Sequence, residues 1–339
     1  MNRGFWNELP KPFFALAPMA DVTDAAFRRI IAKYSKPRGP GVMFTEFVSA
    51  DGLVLALEEG KKKLLADLMY TEAERPIVAQ FFTGRPEMME KAAALAVELG
   101  FDGVDINMGC PDRSIEKQKA GAAAMKDLKL AKEIIAGAMQ GAKNLPVSVK
   151  TRIGYNKDEL ETWLPALLET GLAAITIHAR TRKEMSSVPA RWERVKRAVE
   201  IRNECQGDTL TRTLIIGNGD ARDIQDAQAK IDETGADGVM LGRAIFGNPW
   251  LFSNVGFTKP YMPSVKEKLH AMVEHTKLFE ELFVYPALGG ARKSFAIMKK
   301  HYKAYVKDFD GAAELRARLM EAEDADAVAR ITNEFCATL

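Results

Sequence analysis

Short runs of apolar and β-branched residues alternate with longer segments of helical periodicity over the first three quarters of the chain. The apolar runs predict eight strands, at residues 13–17, 42–47, 77–82, 103–107, 147–151, 174–178, 214–217 and 238–241. The segments between them predict helices at residues 24–34, 86–99, 128–139, 160–169, 192–203 and 223–233. Eight strand and helix units in about 250 residues match a (β/α)8 TIM barrel, an α/β fold with a parallel sheet.

Local signals support the predicted helix ends. Thr23 is a candidate N-cap for the first helix, while Gly100 and Gly235 follow helices at positions that favour positive φ.

A doubly wound sheet is the competing fold. Its Gly-x-Gly-x-x-Gly fingerprint does not follow the first predicted strand, so the barrel is favoured.

The strand pattern ends after Phe252, and Pro260 and Pro263 interrupt the chain there. Helical periodicity then returns at residues 265–283, 291–306, 312–320 and 325–335. We therefore expect a catalytic TIM barrel over residues 1–255 and a small all-helical C-terminal domain over residues 260–339.

Composition is that of a water-soluble enzyme, with 47% hydrophobic and 28% charged residues among 339. No apolar run approaches the roughly 20 residues of a membrane span, and the first residues lack a signal peptide's apolar core. The cysteines Cys110, Cys205 and Cys336 lie far apart, which suggests neither a disulfide framework nor a metal site. We expect a cytoplasmic, metal-free protein and, with no partner chain suggested, a monomer.

The net charge of +2 does not by itself indicate a nucleic-acid partner. Charge is unevenly distributed, however. The stretch 282–307 contains no Asp or Glu and six basic residues, namely Arg292, Lys293, Lys299, Lys300, Lys303 and Lys307. Such clustering is what phosphate binding requires.

Polar residues and a glycine stand at or just after the ends of predicted strands: Asn107, Lys150, His178, Asn218 and Gly242. TIM barrels carry their chemistry at the carboxyl ends of the strands. These positions therefore predict an active site in the mouth of the barrel.

Cys110 lies in the most specific segment, residues 105–111, where a Gly and a Pro flank the thiol just after strand four. A cysteine elsewhere is usually a small buried hydrophobe, and we read Cys205 and Cys336 in that way. In a loop at the active face, Cys110 is better interpreted as an acid or a nucleophile.

Lys150 and His178 end strands five and six. An ammonium that points into a barrel mouth favours an electron-rich or anionic partner, although a Schiff-base lysine or one that reaches solvent are alternatives. His178 has a satisfied core histidine as its alternative. Gln80, in strand three, offers an amide for the edge of a pyrimidine-like ring.

The loops after strands seven and eight form the usual phosphate site of such barrels. Here they contain Asn218, Gly219 and Asp220 in one loop, and Gly242 and Arg243 in the other. Glycines let backbone N–H groups approach an anion, and Arg243 adds a charged contact. The two loops together predict a bound phosphate, with plain chain connections as the alternative.

Together these segments resemble the tRNA dihydrouridine synthase family. The resemblance rests on residues 17–19, 105–111, 150–152, 178–181, 218–220 and 242–243, and it spans about residues 14–252 in order and spacing. A weaker likeness to the family's helical domain continues at residues 309–316.

The resemblance implies an FMN-dependent oxidoreductase that acts on a CH–CH bond and takes its electrons from NADPH. Hydride from reduced FMN would pass to C6 of a uracil in tRNA, while Cys110 would protonate C5. The residues implied to hold FMN are Pro18, Met19, Ala20, Gln80, Lys150, His178, Asn218, Gly219, Asp220, Gly242 and Arg243.

Substrate contacts are expected from three groups of side chains. Asn107 would hold the flipped base, and Arg152, Arg180 and Arg182 would contact RNA phosphates near the mouth. In the basic stretch, contacts are expected from Arg292, Lys299, Lys300 and Lys303, with Phe295, Tyr302 and Tyr305 interleaved. A solvated helix face is the alternative for that stretch.

The sequence departs from the family pattern at two positions. Asp21 and Ala179 stand where the family commonly has Gly, and the first of these changes is expected to affect the loop beside the flavin. Residues 185–191 align poorly, so no RNA contact is assigned there.

Two other functions remain open at this point. An FMN barrel that acts on a free pyrimidine, such as a dihydroorotate dehydrogenase, has no evident need for the basic helical tail. A non-catalytic RNA chaperone would have no need for the cysteine and phosphate loops.

Overall fold

The computed structural model of this protein describes residues 3–207, 211–285 and 293–339. Its sheet has eight parallel strands: β1 Phe13–Leu16, β2 Met43–Ser49, β3 Ile77–Phe82, β4 Gly103–Met108, β5 Val147–Arg152, β6 Ala174–His178, β7 Leu214–Asn218 and β8 Gly238–Leu241. Each strand from β2 to β8 pairs with the next, and β8 pairs with β1. A single bridge between Ala15 and Val42 joins β1 to β2, so the predicted TIM barrel is confirmed.

The α-helices surround the barrel and continue beyond it. They are α1 Ala25–Ser35, α2 Ala50–Leu55, α3 Glu58–Asp67, α4 Pro86–Glu98, α5 Arg113–Glu116, α6 Leu128–Ala142, α7 Leu160–Leu168, α8 Trp192–Gln206, α9 Ile224–Thr234, α10 Val265–Phe279, α11 Met298–Tyr305, α12 Ala312–Glu321 and α13 Ala325–Cys336. Helices α2, α3 and α5 were not expected from the sequence. A π-helical turn, Glu280–Val284, extends α10.

Capping explains where the first and ninth helices begin and end. Asp24, and not the predicted Thr23, is the N-cap of α1, because its carboxylate accepts a hydrogen bond from the Phe27 N–H at 2.9 Å. Thr23 is used differently, since its hydroxyl accepts from the Met19 N–H at 2.9 Å. Gly235 ends α9 at φ 72°, as expected of a residue that tolerates the left-handed region.

The barrel is closed at its N-terminal end by aromatic packing. Trp6 is 1% exposed and lies 5.7 Å from the ring of Phe13, at the start of β1. Apolar side chains from several strands, including Phe44 and Met240, form one cluster with these rings. The opposite end, where the strands finish, therefore remains the open face of the fold.

The C-terminal helices pack on the outside of the barrel. Ala25 and Ala26 of α1 share an apolar cluster with Leu269, Met272 and Phe279 of α10. The helical tail is therefore confirmed, and its core is continuous with one barrel helix. The division into domains at residues 255–260 stays a prediction.

Candidate active site

A cavity of about 260 Å³ opens at the carboxyl ends of the strands. It is lined by Ala17, Pro18, Met19, Lys150, His178, Arg180, Ser186, Asn218, Gly219, Asp220, Ala221, Met240, Gly242 and Arg243. Nine of the eleven residues predicted to bind the cofactor are in this lining. The other two are Ala20, which is exposed beside it, and Gln80, which is fully buried.

The β7 and β8 loops form the most polar side of the cavity. Gly219 has φ 125°, and a Cβ there would lie 2.8 Å from the Ala190 Cβ, so this close approach requires glycine. Asn218 is anchored by its side-chain amide, which donates to the Met240 carbonyl at 2.8 Å. The loop is thus held by its side chain while its backbone remains at the cavity.

Asp220 neutralises two arginines at this side. Its carboxylate accepts from the Arg180 and Arg243 guanidinium groups, the latter at 2.6 Å, and from the Ala190 N–H at 2.9 Å. Burial alone would raise the pKa of Asp220, but these contacts hold it below its ordinary value. Asp220 is therefore an anchor for arginines, and a bound anion would meet Arg243 and backbone N–H groups instead.

The pKa of His178 indicates that positive charge surrounds it. Burial lowers its pKa strongly, and Lys150, Arg152, Arg180 and Arg243 lower it further. His178 is consequently neutral at physiological pH, with its Nε2 3.2 Å from a guanidinium nitrogen of Arg180. An excess of cations around a cavity favours an anionic ligand.

Lys150 is one of the cations that line the cavity. Burial, followed by repulsion from Arg152, lowers its pKa to about 8, and attraction to Asp105 and Cys110 opposes this. Lys150 lines the cavity and stands opposite Asn107 in the β4–β5 register. Cys110 does not line the cavity, but its backbone N–H bonds to Asn107, so its loop is linked to the position of Lys150.

A chain of hydrogen bonds runs inside the barrel from Asp105 to the cysteine loop. Asp105 accepts from Gln80 Nε2 at 2.6 Å, and Gln80 Oε1 accepts from Asn107 Nδ2 at 3.2 Å. Asn107 Oδ1 then accepts the backbone N–H groups of Gly109 at 3.1 Å and Cys110 at 2.9 Å. Gln80 and Asn107 are thus used to hold the loop, with both ends of their amides occupied.

Cys110 is half-buried and packs with Phe82, Ile115 and Ala120, beside Phe47. Burial raises the pKa of its thiol, and the Asp112 carboxylate acts in the same direction. Lys150 and Arg152 act in the opposite direction without reversing the shift. The group is consequently a protonated thiol at neutral pH, which suits an acid better than a nucleophile.

The three arginines expected near the mouth are engaged within the protein. Arg152 is 7% exposed and donates to the carbonyls of Gly109, Thr181 and Met185. Arg180 is 3% exposed and pairs with Asp220, and Arg182 forms a two-bond pair with Glu116. Arg152 and Arg182 thus brace segments near Cys110, while Arg180 is held at the cavity, and contact of the three with RNA stays a prediction.

The basic stretch is only partly as expected. Lys303 is exposed, Lys299 and Lys300 are half-buried, and Arg292 lies outside the described residues. The prediction of three aromatic side chains interleaved on this face is wrong for two of them, because Tyr302 is 0% and Tyr305 1% exposed. Both rings pack in the core of the helical tail and cannot stack on bases.

Three residues at or beside the site were not predicted from the sequence. Ser186 lies in the segment that was left unassigned, while Met240 belongs to an apolar strand and carries no polar signal. Glu46 was also missed, although it is 5% exposed and contacts the loop after β1. A charged residue inside the apolar run of β2 was the signal that could have identified Glu46.

Within the described ranges, no three His, Cys, Asp or Glu side chains are grouped so that they could hold a metal ion. None of the helices described there is both long and apolar enough to cross a lipid bilayer.

Comparison with protein families matches residues 15–338 to the dihydrouridine synthase (Dus) family. A probable tRNA-dihydrouridine synthase 2 of Bacillus subtilis (strain 168) is 38% identical over 336 residues, which cover 99% of this chain and 97% of that protein. A probable tRNA-dihydrouridine synthase of Staphylococcus aureus (strain MRSA252) is 36% identical over 99% of this chain and 96% of its own.

Solved structures with the same barrel are more distant. Morphinone reductase in complex with tetrahydroNAD superimposes with a TM-score of 0.50 and 16% identity, over 78% of this chain and 92% of its own. Histamine dehydrogenase from Rhizobium sp. 4-9 gives a TM-score of 0.52 and 12% identity, over 79% of this chain and 49% of its own. These likenesses concern the fold.

Proposed function

The chain belongs to the dihydrouridine synthase family, and from this we propose that its barrel mouth holds FMN while Cys110 protonates C5 of a uridine in tRNA. The observation that carries the proposal is that Lys150, which lines the cationic cavity, pairs in the sheet with Asn107, the residue that holds the loop of the protonated Cys110 thiol. Reduction of a C5–C6 double bond needs a hydride source and an acid side by side. When bound, reduced FMN supplies the hydride.

The cavity suits a flat, partly apolar and phosphorylated cofactor. Ala17, Pro18, Met19 and Met240 give it an apolar wall. Lys150 and the neutral His178 supply polar contacts, and Arg243, whose side chain is 68% exposed, provides charge at its edge. Gly219 and Gly242 leave room for backbone contacts with the phosphate.

Cys110 would deliver its proton from the loop that Asn107 holds. Both backbone N–H groups before the thiol bond to the Asn107 oxygen, so the loop cannot move away freely. Asn107 thereby acts on the substrate through Cys110, and a direct contact with the base would require its amide to exchange partners. Phe47 and Phe82 belong to the apolar cluster against which the thiol packs, so Cys110 is only partly exposed.

NADPH is proposed as the electron donor, tRNA as the partner and the cytoplasm as the compartment. A uracil in a loop of folded RNA costs less to unstack than one in a duplex, which favours tRNA over double-stranded substrates. The exposed Lys303 and the half-buried Lys299 and Lys300 support an RNA surface on α11.

The test is reconstitution with FMN followed by turnover with unmodified tRNA. We expect the protein to take up FMN, to be reduced by NADPH, and to add two hydrogens to uridines as measured by mass spectrometry of digested tRNA. Free uracil and dihydroorotate serve as comparison substrates. Turnover of a free pyrimidine with none on tRNA would instead support the dihydroorotate dehydrogenase type of reaction.

A further inference from the structure

The loop that follows β1 has a strained anchor point. Ala17, Pro18 and Met19 line the cavity, and Asp21, at the end of this loop, has φ 52°. A residue other than glycine in this region needs its surroundings to hold it. The Asp21 backbone N–H meets that need by donating to Glu46 Oε1.

Glu46 is tied on its other side to the helical tail. It stands on β2, is 5% exposed, and its Oε2 accepts from Lys293 Nζ at 2.9 Å. Lys293 also pairs with Asp67 of α3 at 2.6 Å, and its ammonium lies 4.9 Å from the ring of Phe283. One carboxylate therefore connects a cavity loop to a residue beyond α10.

The ion pair with Lys293 also favours the ionised form of Glu46, which accepts hydrogen bonds more strongly. Burial raises the pKa of Glu46 to about 7, Asp24 and Asp67 act in the same direction, and Lys293 acts in the opposite direction. Removal of the Lys293 charge would therefore raise the pKa of Glu46 further and favour its neutral form. A neutral carboxyl accepts a weaker hydrogen bond than a carboxylate does.

We propose that Glu46 and Lys293 form a positioning pair that holds the loop of residues 17–21 in the shape that lines the cofactor cavity, so that docking of the helical tail supports flavin binding. Neither residue touches the cavity. They act through the Asp21 backbone and through each other. The inference rests on the proposed flavin site.

The experiment measures the FMN dissociation constant of full-length apoprotein by quenching of flavin fluorescence. Glu46→Gln and Lys293→Met should each weaken binding about tenfold, the size expected when a hydrogen bond to a charged group is lost. The double variant should bind no more weakly than Glu46→Gln, because Lys293 acts through Glu46. Lys277→Met, which removes an exposed lysine of α10, should bind as the wild type does.

A role in stability alone predicts a different outcome. In that case the variants would lower the melting temperature, while the FMN dissociation constant and the flavin circular dichroism of folded protein would not change. Binding within twofold of wild type in Glu46→Gln overturns the proposal. If Glu46→Gln does not fold, unchanged binding in Lys293→Met overturns it equally. A wild-type protein that takes up no FMN contradicts the proposed function instead.

Discussion

An acid must still carry its proton at the pH of the reaction, and the surroundings of Cys110, the proposed acid, favour its protonated form. Burial among Phe82, Ile115 and Ala120 raises the pKa of the thiol despite the nearby Lys150. Burial lowers the pKa of Lys150 to about 8, which favours its neutral form. The site is therefore arranged to keep a neutral thiol beside a cation that can serve the cofactor.

Cys110→Ala should keep FMN and tRNA binding but reduce the rate of dihydrouridine formation by about a hundredfold or more, as is typical when a general acid is lost. The measurement is single-turnover reduction of tRNA by prereduced enzyme. Because the acid form is required, the wild-type rate should fall as pH rises through the thiol pKa. Cys205→Ala is the matched control, because Cys205 is exposed and its interpretation as a buried hydrophobe was wrong. A normal rate in Cys110→Ala would remove this thiol from the mechanism.

At the scale of single elements, the contact between α10 and α11 is unusual in its polarity. His275 is 0% exposed and its ring lies 4.7 Å from that of His301, with Phe27 and Tyr305 around them. Among the described residues, the ring nitrogens of both histidines lack hydrogen-bond partners. Burial lowers the pKa of His275 to about 3, and that of His301 well below its ordinary value. This core tolerates two neutral imidazoles and would not tolerate imidazolium ions.

Acid should therefore destabilise the fold through this pair. The folded pKa of His275 lies below the ordinary value of 6.5, so the unfolded chain binds more protons and the free energy of unfolding falls as pH drops from 6.5 toward 3. In His275→Leu the free energy of unfolding should fall less with acid, by on the order of 1 kcal/mol or more. Urea titrations at several pH values measure this difference. His270→Leu removes an exposed histidine of the same helix and should leave the pH dependence unchanged. Equal slopes in the two variants would show that His275 binds protons equally well in the folded and unfolded states.

At the scale of the whole molecule, affinity for RNA depends on where charge lies and only weakly on its sum. The chain has a net charge of +2, yet the described end of the basic stretch exposes Lys303 and Lys307 and half-exposes Lys299. Tyr302 and Tyr305 face the core, so this surface offers charge with little aromatic stacking. Binding there should be electrostatic and sensitive to salt.

Lys299→Glu combined with Lys303→Glu should weaken tRNA binding and lower the slope of log affinity against log salt by about two, with FMN content unchanged. Fluorescence anisotropy of labelled tRNA at several salt concentrations measures both quantities. Lys129→Glu combined with Lys196→Glu makes the same charge change on exposed outer helices of the barrel and should have little effect. Equal losses in the two double variants would indicate a general charge effect and not a binding surface.

The sequence by itself determined the barrel, because strand and helix periodicities are local and each of the eight strands carries its own apolar run. It also predicted that the nine residues now found in the cavity lining would lie together, since strand ends in a parallel barrel necessarily meet at one face. What only the tertiary structure decided is which polar groups pair with one another. Arg152 donates hydrogen bonds to backbone carbonyls, and Tyr302 packs in the core. Glu46 contacts both Asp21 and Lys293, and Lys293 is 247 residues from Glu46 in the chain. Such pairings depend on distances between remote segments, and a charged residue looks the same in a sequence whether it faces RNA or another side chain.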